Sequence, residues 1–439
     1  MNILIITTFY PPDTAVAAVR PYMFAKYLTK RGHKVTVLRS GEFYNSASDF
    51  FDMSIPVRVI SYLGPDSPAE RYARGEQKEF PVVEGKSRLS FLPEVIRKPV
   101  AAAYNACMRP ARFRKRQEAI AAKVEKQKTA LDALRDEHFD VVFSTFGQQE
   151  NIMAGQYAAK IFGCKLIQDF RDPLARKPFQ TKREYRYLKR IQDDAIKCAD
   201  GMTAVSEGFR RELMEGLDES IPNMTLYNGY EPIEQVQRTE ESEPGIFTFC
   251  YTGILYEFSD FTPLLRALKQ LAEEGCIDLS KVKLNYAGRD FDRLLEIAQK
   301  LDVASVLDNH GYVSRAEAAR LQHTADIFLV LSWNRQDSQG VLPAKLYEGI
   351  RAKRPILSLV SGDLPNSELS IINEKYHYGF CYEDCREKEL FGDFCDFLAK
   401  AYDEKMTGGA VQHEVNPELE LRFRYDMLAE QLERFIEQL

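Results

Sequence analysis

The sequence predicts an α/β protein made of two Rossmann-like domains. Short apolar runs that suit buried parallel strands alternate along the chain with longer amphipathic segments that suit helices. This alternation stops in the acidic and polar residues 231–244 and restarts at residue 246. The 439 residues are enough for two domains with sizeable cores. We therefore place the domains at residues 1–230 and 245–415.

Composition narrows the class of protein. Hydrophobic residues make up 45% of the chain, as in globular proteins, and the net charge of −6 argues against bulk nucleic-acid binding. The eight cysteines include no C-x-x-C pair, so we expect reduced thiols rather than a zinc site. No apolar run approaches the length of about 18 residues that a membrane-spanning helix needs. Because the chain enters a strand at once, without a signal peptide, the prediction is a cytoplasmic protein, either free or peripheral on the inner face of the plasma membrane.

The first domain opens with an apolar strand at residues 2–8 and a proline-rich turn. A helix is predicted at about residues 16–30, and Gly32 stands where a helix-terminating glycine belongs. The same pattern predicts strands at 33–39, 57–61, 139–145, 164–168 and 201–206, and helices at 151–162 and 183–199. An insert at about 63–128, polar in its first half and basic in its second, interrupts the alternation.

The second domain repeats the alternation of strands and helices. The pattern predicts strands at 246–253, 282–287, 326–331, 354–360 and 379–382, and helices at 261–274, 343–352, 366–373 and 387–402. A break that contains glycine, at 407–410, precedes a single long helix predicted at 417–439.

Residues 326–360 hold the strongest candidate site, because a strand, a polar loop, a helix and a second strand follow one another there. The loop lies at the carboxyl edge of the sheet, where ligands bind in open α/β sheets. Lys345 and Glu348 share one helix face just inside the helix N-terminus, where free N–H groups suit phosphate. Glu348 is also a suitable acceptor for sugar or ribose hydroxyls. On chemistry alone, a solvated surface ion pair is the simpler interpretation.

The run PAKLYEGIRAKRPIL at 343–357 is similar to the nucleotide-sugar signature of family-4 glycosyltransferases. Their fold, GT-B, has two Rossmann-like domains that face each other across a cleft. Typical members carry an E-x7-E pair, whose second glutamate contacts the ribose and matches Glu348, whereas the first would fall at Gly340. A subgroup with P-x-K-x-x-E resembles this chain better, and the resemblance implies donor contacts from Leu342, Lys345 and Glu348.

Other donor contacts follow from the same resemblance. Gly253 matches a glycine under the donor phosphates, but no cation follows it before Arg266, so Lys345 and then Arg289 are the expected sources of positive charge. Residues that match the element reading the nucleotide base are Gly311, Tyr312 and Val313.

A second edge of polar residues follows the strand at 164–168. The run DFRDP at 169–173 places two carboxylates and an arginine at the end of a strand, which is typical of an active-site edge, although a strand-end salt bridge explains it as well. It resembles a family-4 subgroup whose acceptors are commonly membrane-linked glycans. We expect Arg171 and Asp172 to orient the acceptor or hold phosphate, so that with Lys345 they are the candidate catalytic residues. Arg20 and Gln148 are candidate phosphate or acceptor contacts, and a surface arginine explains Arg20 as well.

Two segments have open interpretations. The basic and partly apolar residues 91–128 suit either a membrane-surface element or a helical hairpin packed on the domain. In GT-B proteins the last helix often crosses back to the first domain; Phe423 and Tyr425 could anchor it there, or they simply pack in the core.

The resemblance implies a retaining, metal-independent glycosyltransferase of the hexosyltransferase type that needs no cofactor. It would move a sugar from a nucleotide-sugar, expected to be UDP-linked, to a glycan or lipid-linked acceptor in surface polysaccharide biosynthesis. The missing carboxylate at Gly340 keeps two alternatives open: a catalytically silent GT-B scaffold that binds nucleotide-sugar or glycan, and an epimerase-like or hydrolase-like GT-B enzyme. A dinucleotide-dependent oxidoreductase is disfavoured because no G-x-G-x-x-G follows the first strand.

Overall fold

A computed structural model describes the chain apart from residues 14, 43–50, 53, 65, 68–70, 72–93, 147–148 and 233–241, and apart from the side chains of 94–108 and 146. The first domain is built on a seven-stranded parallel sheet of order β3-β2-β1-β4-β5-β6-β7. The strands are β1 Asn2–Ile6, β2 Lys34–Arg39, β3 Arg58–Ser61, β4 Val141–Phe146, β5 Lys165–Phe170, β6 Gly201–Ala204 and β7 Asn223–Thr225. The helices are α1 Val16–Lys30, α2 Glu94–Asp132, α3 Gln149–Phe162, α4 Lys182–Lys197 and α5 Glu207–Met214.

Successive residues of β1 enter two different apolar clusters, because side chains of a strand alternate between the faces of the sheet. Ile3 and Ile5 pack in one cluster with α1, whereas Leu4 and Ile6 pack in another with α2 and α3. The continuous apolar run that predicted β1 therefore reflects a strand buried on both faces.

The second domain has a six-stranded parallel sheet of order β10-β9-β8-β11-β12-β13. The strands are β8 Phe247–Ile254, β9 Val282–Arg289, β10 Leu307–Gly311, β11 Ile327–Trp333, β12 Ile356–Ser361 and β13 Gly379–Glu383. The helices are α6 Thr262–Glu273, α7 Phe291–Lys300, α8 Arg315–Thr324, α9 Ala344–Ala352, α10 Glu368–Tyr376 and α11 Glu387–Gly408. Both sheets reverse their strand order beside their first strand, at β1/β4 and at β8/β11, and this reversal creates a crevice for ligands. The prediction of two Rossmann-like domains is confirmed.

The two domains share one apolar cluster. Leu346, Tyr347 and Ile350 of α9 belong to the same cluster as the α1 side of the first sheet. Phe423 joins them, since its ring lies 5.2 Å from the Tyr347 ring and 5.2 Å from the Tyr227 ring. The helix that carries Lys345 is thus fixed against both domains.

The predicted single helix at 417–439 is wrong, because the chain forms α12 Pro417–Arg422 and α13 Tyr425–Gln438. At the break, Tyr230 donates its backbone N–H to the Phe423 carbonyl at 2.9 Å and accepts from the Tyr425 N–H at 3.1 Å. These backbone bonds replace helical ones. Beyond the break α13 packs against α1, and the Phe24 and Tyr425 rings lie 5.8 Å apart.

The basic segment is one helix of 39 residues, α2, and not the helical hairpin that the sequence also allowed. Its inward face buries side chains at spacings of four, three and four residues, the period of one helix face: Ile120, Val124, Gln127 and Leu131. Within the described residues, every helix is either too short or too polar to cross a membrane.

Candidate functional site

Lys345 lies over the end of β8. It stands in the first turn of α9. The N-cap of this helix is Pro343, which the sequence pattern predicts inside the helix, and no side chain caps the N-terminus. A Cβ atom on Gly253 would come 3.2 Å from the Lys345 Cε, and Gly253 has a φ of +147°, which favours glycine. The helix N-terminus and the lysine therefore bring positive charge to the β8/β11 crevice.

Glu348 lies one turn further along α9 and pairs with this lysine. Lys345 Nζ donates to Glu348 Oε2 at 2.7 Å, and Gln322 Nε2 donates to the same oxygen at 2.7 Å. The side chains of Lys345 and Glu348 are only 25% and 29% exposed. The ion pair that the sequence offered as the simpler interpretation does exist, but in a recess of the sheet edge and not on an open surface.

The β9–β10 side of this edge carries the other predicted donor residues. Arg289, the last residue of β9, pairs in register with Ile254, and its exposed side chain makes no ion pair with a described residue. Gly311 ends β10 with a φ of +64°. The Tyr312 side chain is 83% exposed, whereas Val313 packs on the cluster of Cys250 and Leu321. The residues predicted for the base therefore lie two strands away from Lys345 along the same edge.

Leu342, the remaining predicted donor residue, belongs to the loop between β11 and α9. Its partly buried side chain packs on the apolar cluster that both domains share. Ser332 Oγ donates to the Val341 carbonyl at 2.9 Å and holds this loop against the end of β11.

Arg20 is not a ligand contact, which corrects the expectation from the sequence. The residue is buried, and its Nε and Nη2 donate to the two carboxylate oxygens of Asp169 at 2.9 and 2.6 Å. The other donors reach the carbonyls of Leu226 and Tyr227 and the side chain of Asn228, so all five N–H groups are used. A signal was present in the sequence, because Arg20, Phe24 and Tyr27 follow the spacing of one helix face.

The DFRDP run divides into a buried and an accessible part. Asp169 is fully buried. In addition to Arg20, the hydroxyl groups of Thr145 and Thr203 each donate to its carboxylate at 2.7 Å. Arg171 is half-buried; its Nη1 donates to the Ala17 carbonyl at 2.8 Å, and no described carboxylate lies within ion-pair distance. Desolvation lowers the pKa of Arg171, although an arginine this basic stays charged. This leaves a cation at the carboxyl edge of β5 that can meet a ligand.

Asp172 is the accessible carboxylate of this edge. Its side chain is 58% exposed and lies 3.4 Å from Arg176 Nη1. Desolvation by the surrounding protein nevertheless raises the pKa of Asp172. Gln148, the other predicted contact here, falls outside the described residues.

Besides the apolar cluster that both domains share, polar and close backbone contacts join the two domains at four residues that we call the clamp: Ser206, Gly208, Gly340 and Glu368. Ser206 Oγ donates to the Gly340 carbonyl at 2.6 Å, and Glu368 accepts from the backbone N–H groups of Glu207 and Gly208 at 2.8 and 3.0 Å. A Cβ on Gly340 would lie 2.6 Å from the Phe209 nitrogen. Position 340 therefore suits glycine because the other domain packs against it. Nothing near Glu368 in the sequence signals its partners, since they lie in the other domain.

No model of a known protein family matches the sequence, and neither does any curated protein. Among solved structures, sucrose-phosphate synthase from Thermosynechococcus elongatus is 11% identical with a TM-score of 0.59, over 100% of this chain and 99% of that one. Anabaena HepE in complex with UDP and glucose is 12% identical with a TM-score of 0.57, over the full length of both chains. The lipopolysaccharide outer core galactosyltransferase WaaB is 13% identical with a TM-score of 0.55, over 100% of this chain and 99% of that one.

This chain has the GT-B fold. Identities this low show the fold alone. In this GT-B chain the clamp brings the loop between β11 and α9 against the start of α5, which follows β6 at the carboxyl edge of the first sheet. Among the described residues, no three His, Cys, Asp or Glu side chains come together as metal ligands would.

Proposed function

We propose that this GT-B protein is a retaining family-4 glycosyltransferase of the hexosyltransferase type. It moves a sugar from a UDP-sugar to a glycan or lipid-linked acceptor in surface polysaccharide biosynthesis, with neither a metal ion nor a cofactor. The observation that supports this most directly is Lys345 beside Gly253 at the uncapped N-terminus of α9. UDP in a solved structure of the same fold, Anabaena HepE, supports the choice of nucleotide.

On this proposal the departing diphosphate is the group that the site must stabilise. Negative charge grows on it as the bond to the sugar breaks, and fixed positive groups lower the barrier most in a site that excludes water. Lys345 and the first amides of α9 supply that charge, with Arg289 as a second cation at the same edge. Lys345 would exchange its bond with Glu348 for one with the diphosphate, and Glu348 would then accept the ribose hydroxyls.

The carboxyl edge of the first sheet would bind the acceptor. Arg171 and Asp172 follow β5 at the carboxyl edge of the first sheet, as a cation and a carboxylate that are both accessible. Asp172 is a suitable hydrogen-bond acceptor for a sugar hydroxyl, and Arg171 for holding a phosphate of the acceptor or donor. Closure of the two domains would exclude water, which competes with the acceptor.

Binding of a nucleotide panel tests this proposal. UDP at a hundred times its Kd should stabilise the protein by about 2.7 kcal/mol, seen as a rise in Tm, whereas UMP and ADP should have smaller effects. Incubation with UDP-sugars should release UDP only when an acceptor is present to take the sugar. Release without acceptor would favour the hydrolase-like alternative, and a panel without any shift would argue against an enzyme that uses nucleotide-sugars.

We also propose that α2 binds an anionic membrane surface, which would suit a lipid-linked acceptor. Its described part carries exposed basic residues at 112 and 114–116. The helix is braced against α4, because Arg109 Nη2 lies 2.9 Å from Glu184 Oε2 and the Phe113 ring lies 5.7 Å from the Tyr187 ring. Basic side chains near a lipid surface each contribute about 1 kcal/mol of attraction to anionic headgroups.

Vesicle sedimentation measures this binding. The protein should bind vesicles of phosphatidylglycerol and phosphatidylcholine, less so as salt is raised, and not vesicles of phosphatidylcholine alone. The fourfold variant R112Q/R114Q/K115Q/R116Q should bind at least tenfold more weakly. A matched variant, K281Q/K300Q/K388Q/K400Q, removes four exposed charges from the second domain and should bind as the parent does. Equal binding by the two variants would exclude α2 as the contact.

A further inference from the structure

An exposed aromatic ring lies beside the proposed donor site and has no role in it. Tyr256 stands two residues after β8, and its side chain is 57% exposed. One side of the ring packs on Trp333, the last residue of β11, with ring centroids 5.9 Å apart. Phe258 packs on the same indole at 5.6 Å. The three rings form what we call the aromatic platform.

The platform is held rigidly. Arg293 donates to the backbone carbonyls of Tyr256, Glu257 and Ser259 at 2.7, 3.0 and 2.7 Å. Trp333 Nε1 donates to Ser338 Oγ at 2.9 Å, which fixes the orientation of the indole. The Arg335 guanidinium lies 4.5 Å from the centre of the Phe258 ring. An apolar face that is fixed in place while open to water loses little entropy when a ligand covers it.

The position of the platform suggests its ligand. Along the sheet edge, the base residues follow β10, Lys345 lies over the end of β8, and the platform bridges the ends of β8 and β11. A nucleotide-sugar that lies along this edge with its base at β10 would have its diphosphate at Gly253 and its sugar towards the platform. The negative face of an aromatic ring attracts the polarised C–H groups on the apolar face of a pyranose.

We propose that the Tyr256 ring is a stacking subsite for a pyranose ring, either the sugar being transferred or the acceptor sugar that receives it. This inference rests on the proposed function, since it takes the ends of β8 and β11 as the donor edge. The aromatic platform would contact the sugar ring, whereas Lys345 and Arg289 would neutralise the diphosphate. Removing Tyr256 should therefore weaken sugar binding and leave UDP binding unchanged.

The chain has a single tryptophan, Trp333, so its emission reports directly on the platform. UDP, UDP-glucose, UDP-galactose and maltose are titrated against the wild-type protein, Tyr256→Phe, Tyr256→Leu and Tyr256→Ala. A pyranose-bearing ligand should change the emission of the wild type and of Tyr256→Phe, which keeps the ring. Tyr256→Ala and Tyr256→Leu should bind that ligand about tenfold more weakly, with an unchanged Kd for UDP. Tyr256→Leu separates ring stacking from plain apolar contact.

The outcomes distinguish the two sources of the sugar. Weaker binding of a UDP-sugar by Tyr256→Ala identifies the transferred sugar as the one that stacks. Weaker binding of maltose alone, or a higher KM for the acceptor alone, identifies the acceptor sugar. Equal pyranose affinities in the wild type and Tyr256→Ala would overturn the inference, as would tenfold weaker UDP binding in Tyr256→Ala. Failure of the proposed function looks different, because UDP would then not raise the Tm of the wild type.

Discussion

Replacing Lys345 with alanine is expected to abolish the thermal stabilisation by UDP and to lower the rate of sugar transfer by about 10²–10³-fold, the usual cost of one donor that stabilises developing charge. Two effects combine here. The diphosphate loses the cation that lies over Gly253, and Glu348 loses the partner that neutralises it at 2.7 Å. Differential scanning fluorimetry with UDP, and a transfer assay, measure these losses.

A matched control lies on the same helix. Lys353, at the other end of α9, is 55% exposed and pairs with Glu420, so Lys353→Ala should keep the full response to UDP. The double variant K345A/E348Q separates the two effects. If the double variant regains the UDP response, the loss comes from the unpaired Glu348, and if it does not, Lys345 itself binds the nucleotide. A full response to UDP in Lys345→Ala would contradict the proposed donor site.

The elements that sequence patterns predict best are those whose stability is local. Helix α1 has the predicted bounds, because its apolar face and the terminating Gly32 are all encoded within the segment. The same helix also gave an error. A positive charge one turn into α1 favours a phosphate contact for Arg20, although its spacing from Phe24 and Tyr27 places it on the buried face, where Asp169 neutralises it.

Contacts between distant segments could not be predicted from local pattern. The break between α12 and α13 depends on backbone hydrogen bonds to Tyr230, about 190 residues earlier, so residues 417–439 read alone favour one helix. For the same reason the sequence predicts only part of the candidate site. Lys345 and Glu348 belong to one motif, whereas Glu368 acquires its role only when α10 meets α5.

A glutamate introduced at position 340, where typical family-4 members have one, should open the two domains and weaken catalysis. Gly340 has a φ of +72°, a conformation that costs other residues about 1–3 kcal/mol. Its added Cβ would also lie 2.6 Å from the Phe209 nitrogen and 2.8 Å from the Gly208 Cα, both backbone atoms that cannot move aside cheaply. The new carboxylate would enter the neighbourhood of the Glu368 carboxylate. Separation of the domains relieves the close contacts and the charge repulsion, but not the backbone strain.

Small-angle scattering of Gly340→Glu should therefore give a larger radius of gyration than the parent, together with a reduced rate of transfer. Gly275→Glu is the matched control, because Gly275 has a φ of +75° and nothing within 4 Å of an added Cβ. It carries the same strain and charge without the contact between domains, so it should lose stability while keeping the parent radius and rate. Glu368→Gln keeps the shape of the clamp but removes its charge, and should give an intermediate radius. A Gly340→Glu variant that keeps the parent radius and transfers sugar faster would mean that the missing carboxylate, and not the packing of the two domains, limits this site.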